Sequence, residues 1–550
     1  MTLQALFDQA LGFHQHGHLA EAERLYRLVL NGVPRHFGAL HMLGVACAQQ
    51  GRHAEALALI GAALESRPGD ALALTNHGNV LAALGRFSEA LNRHDESLAA
   101  APDNADAWNN RGNALKGLDR PQEALASYDR ALALRPGFAD ALSNRGTVLH
   151  QMGRSDDALA SFAGALAADP AHVGALYNRG HVLHDAGRLE EAVAGYDHLL
   201  TIAPGHADAL ANRALCLTGL GRIDEALECF DRAIAADPGH AEAHFNKGLC
   251  LMLAGRLDEG LPLYEWRKKL PVPVEARTYA QPLWTGAEDI AGKTLFVHIE
   301  QGLGDTIQFY RYAAQAAARG AKVVLAVQDR LLRLLAGAAP AVRLIGYRQE
   351  PEAFDYHIPL MSLPLALGIE YRPIALPYLR AEPERVKMWR ERIGAKGLRI
   401  GVSWEGNRTV AGGAGRAFPP SALAGIARIA GVRLVGLQKD AAAGDLAAAG
   451  IESPGADFDA GPDAFLDSAA VMENLDLVIG PDATIAHLAG ALGRPVWIAL
   501  KHVPEWRWGL AGEDCPWYPD ARLFRQKTDG DWASVFSEME AQIGAMMEGR

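Results

Sequence analysis

The residues best placed to do chemistry lie in three loops of the second half of the chain. The first is Gln301-Gly302-Leu303-Gly304-Asp305-Thr306. Gly302 and Gly304 let the backbone come close to a ligand, and Asp305 stands at the mouth of the helix that follows. A carboxylate there can cap that helix. Glu300, one residue before the loop, is the next carboxylate within reach. The loop is not G-x-G-x-x-G, which excludes a dinucleotide fingerprint. The second loop is Ser403-Trp404-Glu405-Gly406-Asn407-Arg408, continuing through small residues to Arg416, whose guanidinium suits a phosphate. The third is Gly480-Pro481-Asp482-Ala483-Thr484-Ile485-Ala486-His487. It opens a helix whose free N–H groups attract an anion, and Asp482 or Thr484 could equally cap it. Together these groups offer close backbone approach and anion-binding donors to one ligand. Asp457-Phe458-Asp459 is a D-x-D string, but it precedes a helix rather than following a strand, and reads as a surface turn.

The first half carries a different set. Asn76, Asn110, Asn144, Asn178, Asn212 and Asn246 recur every 34 residues. An amide both donates and accepts, so a row of them can hold an extended polypeptide whatever its sequence, or can bridge neighbouring repeats. Both roles stay open. Arg111, Arg145, Arg179, Arg213 and Lys247 follow five of these asparagines directly and offer charge contacts. Of His14, His16 and His18, only His14 and His18 share a helix face, which points to a solvated helix end rather than a metal site.

These residues need elements to position them. Pro68, Pro102, Pro136, Pro170, Pro204 and Pro238 share the 34-residue period, as do Gly51, Gly85, Gly153, Gly187, Gly221 and Gly255, with Asp119 standing in once. Each unit holds two amphipathic stretches, such as ADAWNNRGNALKGL and PQEALASYDRALAL. A unit this small cannot bury its own apolar face, so units must stack. The pattern resembles the tetratricopeptide repeat, a helix–turn–helix module. Seven clear units from about residue 35, with a degenerate one before them, give an α superhelix over 1–270. Residues 271–289 read as a Pro-rich linker. KTLFVHIE, AKVVLAV and AVRLIGY then alternate with helical stretches over 290–385, and LRIGVSW, VRLVGLQ, LDLVIG and PVWIAL do so over 386–550. PYLRAEPERVKMWRERIG bridges the two series. Strand–helix alternation predicts two Rossmann-like lobes of parallel sheet, with ligands beyond the carboxyl ends of the strands.

Composition narrows the class. The chain has 550 residues, enough for about three to four domains. A formal charge of −12 lacks the basic balance of a nucleic-acid binder. No apolar run approaches the roughly 18 residues of a membrane span, and the N-terminus lacks the pattern of a secretory signal. The five cysteines are widely spaced, with no C-x-x-C, which fits a reducing, cytoplasmic setting.

HIEQGLGDTIQFYRY, MSLPLALG, GVSWEGN, GLQKD, DATIAHLAGALGRPVW, EWRWG and CPWYPDARLFRQ, in that order, resemble bacterial tetratricopeptide-containing glycosyltransferases related to the heptosyltransferases. The resemblance covers roughly residues 260–530 and implies an α/β GT-B fold, with the sugar nucleotide on the C-terminal lobe. It implies Asp305 as general base. It implies donor contacts at Gly302, Gly304, Ser403, Trp404, Asn407, Arg416, Gln438, Lys439, Asp482, Thr484 and His487. The family usually has Thr after the Asp of the third loop, where this chain has Ala483, and D-x-x-R-S in the second, where only Arg416 matches. The layout is also similar to protein O-GlcNAc transferases, whose asparagine ladder holds the acceptor. The implied activity is inverting, metal-independent transfer of a sugar to Ser or Thr of a polypeptide. Flagellin and a CMP-activated nonulosonic acid are the favoured pair. The alternatives are a UDP-GlcNAc-type transferase and an inactive adaptor.

Overall fold

The computed structural model of the protein describes residues 2–270, 278–368, 376–406 and 415–549. It divides into two compact units, Met1–Cys216 and Leu217–Arg550.

In the first unit, helices of 13 and 14 residues alternate, beginning with Leu3–Gln15 and Leu19–Gly32. The turn inside each hairpin needs one left-handed residue. Gly51 (φ 77°) and Gly85 (φ 73°) supply it at no steric cost, and Asp119 (φ 55°) takes the same conformation in the hairpin without the glycine. Asp70 and Asn104 cap the helices after the proline loops by accepting from the backbone N–H of Ala73 and Ala107. His36 and His172 do the same through Nδ1. A second glycine sets the distance between the paired helices. A Cβ on Gly112 would lie 2.4 Å from the Tyr128 ring, and one on Gly146 would lie 2.8 Å from Phe162. At Gly78 the facing ring is His94, fully buried, whose pKa burial pushes down to about 4.

The second unit begins inside helix Ala207–Gly219, earlier than the repeat boundary at residue 270. The last repeats share a core with the sheets: Met252, Leu253, Leu261 and Tyr264 pack in the same cluster as Ile299, Ile307, Trp506 and Trp508. Of the expected linker, 271–277 lie outside the described residues. The remainder is docked rather than loose. Trp284 is buried and its N–H donates to the His357 carbonyl at 2.9 Å.

Two parallel sheets follow. The first joins β1 (Thr294–His298), β2 (Lys322–Val327), β3 (Val342–Gly346) and β4 (Tyr356–Pro359) in the order β3-β2-β1-β4. The second joins β5 (Leu398–Val402), β6 (Val432–Gly436), β7 (Ile451–Glu452), β8 (Leu477–Pro481), β9 (Val496–Leu500) and β10 (Ala521–Arg525) in the order β10-β9-β8-β5-β6-β7. Every strand pair is parallel, and β1, β8 and β9 are apolar and buried along nearly their whole length, as strands covered on both faces must be. The bridging segment forms helix Pro383–Ile393, fixed to the second sheet's helices by Trp389 Nε1 donating to Asp467 at 2.9 Å. No helix among the described residues is long and apolar enough to cross a membrane.

Candidate functional site

The second sheet has the strand order of a doubly wound fold, in which direction reverses between its first and fourth strands, here β5 and β8. In such sheets ligands bind beyond the carboxyl ends of the two strands at the reversal. The second and third loops leave from there. The first loop leaves the end of β1, next to β4, where the smaller sheet reverses.

The three loops meet. A Cβ on Gly304 would lie 3.1 Å from the His487 ring and 3.3 Å from Thr484 Oγ1, and one on Gly406 would lie 3.1 Å from Ala483 Cβ. Gln438, at the end of β6, holds the second loop. Its Oε1 accepts from Ser403 Oγ at 3.1 Å and from the Glu405 N–H at 3.2 Å. Trp404 is buried in the core of the second lobe, and Lys439 is exposed beside Gln438. Asn407 lies outside the described residues. Arg416 Nη1 stands 3.4 Å from Asp482 Oδ2, an ion pair without a hydrogen bond to that oxygen. Helix Thr484–Ala491 starts on Ala483, and neither Asp482 nor Thr484 caps it among the described residues.

Asp305 is engaged at both oxygens. Oδ2 accepts from the Gly302 N–H at 3.1 Å and caps its helix, while Oδ1 accepts from Arg507 Nη2 at 2.5 Å. Capping and a charged role are therefore combined in one side chain. Glu300 departs from expectation. Its side chain is 2 % exposed and locked to Arg267 at 2.6 Å. The apolar core around it admits a charge only in a pair.

Sequence reasoning gave no role to Arg507, Glu505 or Lys501. Arg507 also bonds Glu505 Oε1 at 2.5 Å and Gln308 Oε1 at 2.6 Å. Burial opposes its charge, but Glu505 and Asp305 outweigh burial and hold its pKa above the ordinary value. Burial pushes the Glu505 carboxyl up. His487 is pushed far down by burial and by Arg507, Arg311 and Arg416, so its ring is neutral. It stacks on Trp508 and lies 3.0 Å from the Tyr518 hydroxyl. Burial and Arg416 lower the Lys501 ammonium. The signal was present in EWRWG and CPWYPD, but nothing in their spacing ties them to a loop some 200 residues earlier. The uncapped helix start thus stands among the charges of Arg416, Lys501 and Arg507, which suit an anion.

In the repeats, four asparagines bridge neighbours. Asn76 donates to His41 Nε2 at 2.9 Å, Asn144 to Asn109 Oδ1 at 3.0 Å, Asn178 to Thr147 Oγ1 at 3.3 Å and Asn212 to the Tyr177 hydroxyl at 3.0 Å. Burial keeps His41 neutral and able to accept. Asn110 accepts from Asn109, and Asn246 has no hydrogen-bond partner among the described residues. The cations after them are mostly paired: Arg111 with Asp95, Arg145 with Asp129, Arg213 with Asp197 and Lys247 with Asp231. Arg179 breaks the series because Ala163 occupies its aspartate position. His14 is not solvated. It is buried between Tyr26 and Gln49. The D-x-D string is not a plain surface turn either. Asp457 pairs with Arg392 outside, but Asp459 is buried and accepts from the N–H groups of Asp467 and Ser468 at a helix start.

Models of the tetratricopeptide repeat match residues 7–71, 143–207 and 212–265, and further repeat models match 78–119 and 105–138. The first half of the chain is a tetratricopeptide-repeat array. The chain is 28% identical over 290 residues to Protein FlbA of Caulobacter vibrioides, covering 47% of this chain and 48% of FlbA, so it spans about half the length of that curated relative. Among solved structures, YrrB, a tetratricopeptide protein with an unusual peptide-binding site, is 27% identical and covers 34% of this chain and 98% of its own, at a TM-score of 0.29. TTC0263 of Thermus thermophilus is 26% identical and covers 33% and 98%, at 0.30.

Proposed function

We propose that the protein is a glycosyltransferase of GT-B type that captures a polypeptide on its repeats and transfers a sugar to Ser or Thr from a nucleotide-sugar. The observation that carries the reading is the meeting of three loops from two parallel sheets at the β5–β8 reversal, with cations beside an uncapped helix start. The leaving nucleotide phosphate gains charge as the bond breaks, and Arg416, Lys501 and the Thr484 helix start would stabilise it. Asp305 would accept the hydroxyl proton once Arg507 yields its Oδ1. No metal is needed for that step. A CMP-activated nonulosonic acid as donor and flagellin as acceptor rest on the resemblance of the seven motifs. Calorimetric titration of the full chain with CMP-, UDP-, GDP- and ADP-sugars in EDTA tests the reading. One of them should bind at one equivalent, and Asp482→Ala should weaken it. Binding that appears only on adding Mg²⁺ or Mn²⁺ would overturn the metal-free step.

A second reading, a polypeptide-binding adaptor with an inactive C-terminal half, is favoured by the occupation of both Asp305 oxygens. It predicts acceptor capture with no nucleotide-sugar binding.

A further inference from the structure

His150, His181 and Asp185 bring one ligand atom each within 4.8 Å of one another on the first unit's surface. His181 and Asp185 are i and i+4 on helix Val173–Asp185 and so share a face. His150 comes from the last turn of helix Ala139–Gln151, one repeat earlier. Asp185 Oδ2 lies 3.2 Å from His150 Nε2 and 3.4 Å from His181 Nδ1. Zinc bonds of about 2.0–2.2 Å in a tetrahedron put neighbouring ligand atoms about 3.3 Å apart. These distances match two edges of such a site.

Three further observations fit. His184 Nδ1 lies 3.3 Å from the other Asp185 oxygen, close enough to turn in as a fourth ligand. The remaining nitrogen of His150, Nδ1, lies 3.5 Å from Ser155 Oγ, the outer contact that fixes a ligating imidazole. The side chains are 26 % to 50 % exposed, so an ion can reach them from solvent. The repeat does not require these residues. One period away, His181 and Asp185 are replaced by Thr147 and Gln151 on one side and by Leu215 and Gly219 on the other.

We infer that His150, His181 and Asp185 form a binding site for Zn²⁺ that clasps two adjacent repeats, with His184 or water in the fourth position. Two or three imidazoles and one carboxylate favour zinc over Mg²⁺ or Ca²⁺, which take more oxygen ligands. The site lies in the repeats and is independent of the proposed transfer. The test is calorimetric titration of the full, EDTA-stripped chain with Zn²⁺, alongside the visible spectrum with Co²⁺. One equivalent should bind, with tetrahedral Co²⁺ bands and a raised melting temperature. His150→Ala and Asp185→Asn should each weaken binding at least about tenfold and abolish the bands, while His16→Ala changes neither. The ligands are half-buried or exposed and share one bond between the repeats, so the metal-free variants should melt cooperatively with no more than the small loss of that bond, which separates lost binding from misfolding. No one-equivalent binding, or binding that survives both substitutions, overturns the site.

Discussion

Arg111 and Arg507 are both arginines held by an aspartate, at 2.7 and 2.5 Å, yet they sit in different surroundings. Arg111 lies on the repeats, and its partner Asp95 is 49 % exposed. Water screens the pair, and exposed ion pairs are worth about 0.2–1 kcal/mol. Arg507 lies between two sheets with a side chain 7 % exposed and answers two carboxylates at once. Removing one partner of a buried ion pair costs about 3–5 kcal/mol, because the other charge stays buried and unmatched. The repeats spread many small interactions along a period, so each is dispensable. The lobes concentrate a few large ones where chemistry is expected.

The largest predicted effect is on that concentrated side. Asp305→Asn should bind the donor normally and transfer sugar about 10²–10⁴-fold more slowly, the usual worth of a general base. Transfer is read as the mass added to the acceptor. An unchanged rate would leave Asp305 as the cap and ion-pair partner that the geometry shows. Next comes stability. Arg507→Ala should lose about 3–5 kcal/mol in urea unfolding, against no more than about 1 kcal/mol for Arg111→Ala. Equal losses would erase the contrast between the two regions.

The two regions also differ in how far the sequence reveals them. Most repeats restate the same turn glycine, proline and packing glycine, so a departure such as Asp119 or Ala214 in one unit is corrected by its neighbours, and eight hairpins stand among the described residues where eight units were expected. Seven of the ten strands among the described residues were legible as apolar runs, with the loops as the segments that follow them, whereas β4, β7 and β10 were not read as strands. What stayed hidden depends on pairings across long stretches of chain. Asp305 and Arg507 are 202 positions apart, and Glu300 meets Arg267 across a boundary read as a linker. Asp459 looked exposed because a short polar string gives no sign that its neighbours bury it. Local pattern reports what an element is, but the partner of a buried charge is set by tertiary packing.

Acid should act on the repeats through His94, which takes the place held by Tyr128, Phe162 and Tyr196 in later units. Its folded pKa is lowered to about 4 by burial, from 6.5. Between those values the unfolded chain takes up a proton that the folded chain refuses. Stability is therefore full above about 6.5, falls as pH drops through that window and levels off below about 4, a loss of about 3 kcal/mol. His94→Phe should flatten that part of the curve, measured as the urea midpoint of the full chain from pH 7 to 4. Burial shifts His41 and His77 the same way, so some slope remains. An identical slope in the variant would mean that His94 is not the group that titrates.

The smallest effect separates the two uses of the asparagine row. Asn144 is hydrogen-bonded to the preceding repeat, whereas Asn246 has no partner among the described residues. Loss of one such bond costs about 0.5–1.5 kcal/mol. Asn144→Ala should therefore lower stability by about that amount, and Asn246→Ala should not. If the row also holds the acceptor, Asn246→Ala weakens acceptor binding by a factor of about two to ten with stability unchanged, since its amide has no partner among the described residues. If the row only stitches repeats together, Asn246→Ala leaves acceptor binding untouched, and Asn144→Ala affects it only as far as it loosens the array. Acceptor affinity and unfolding free energy measured on the same two variants decide between these outcomes.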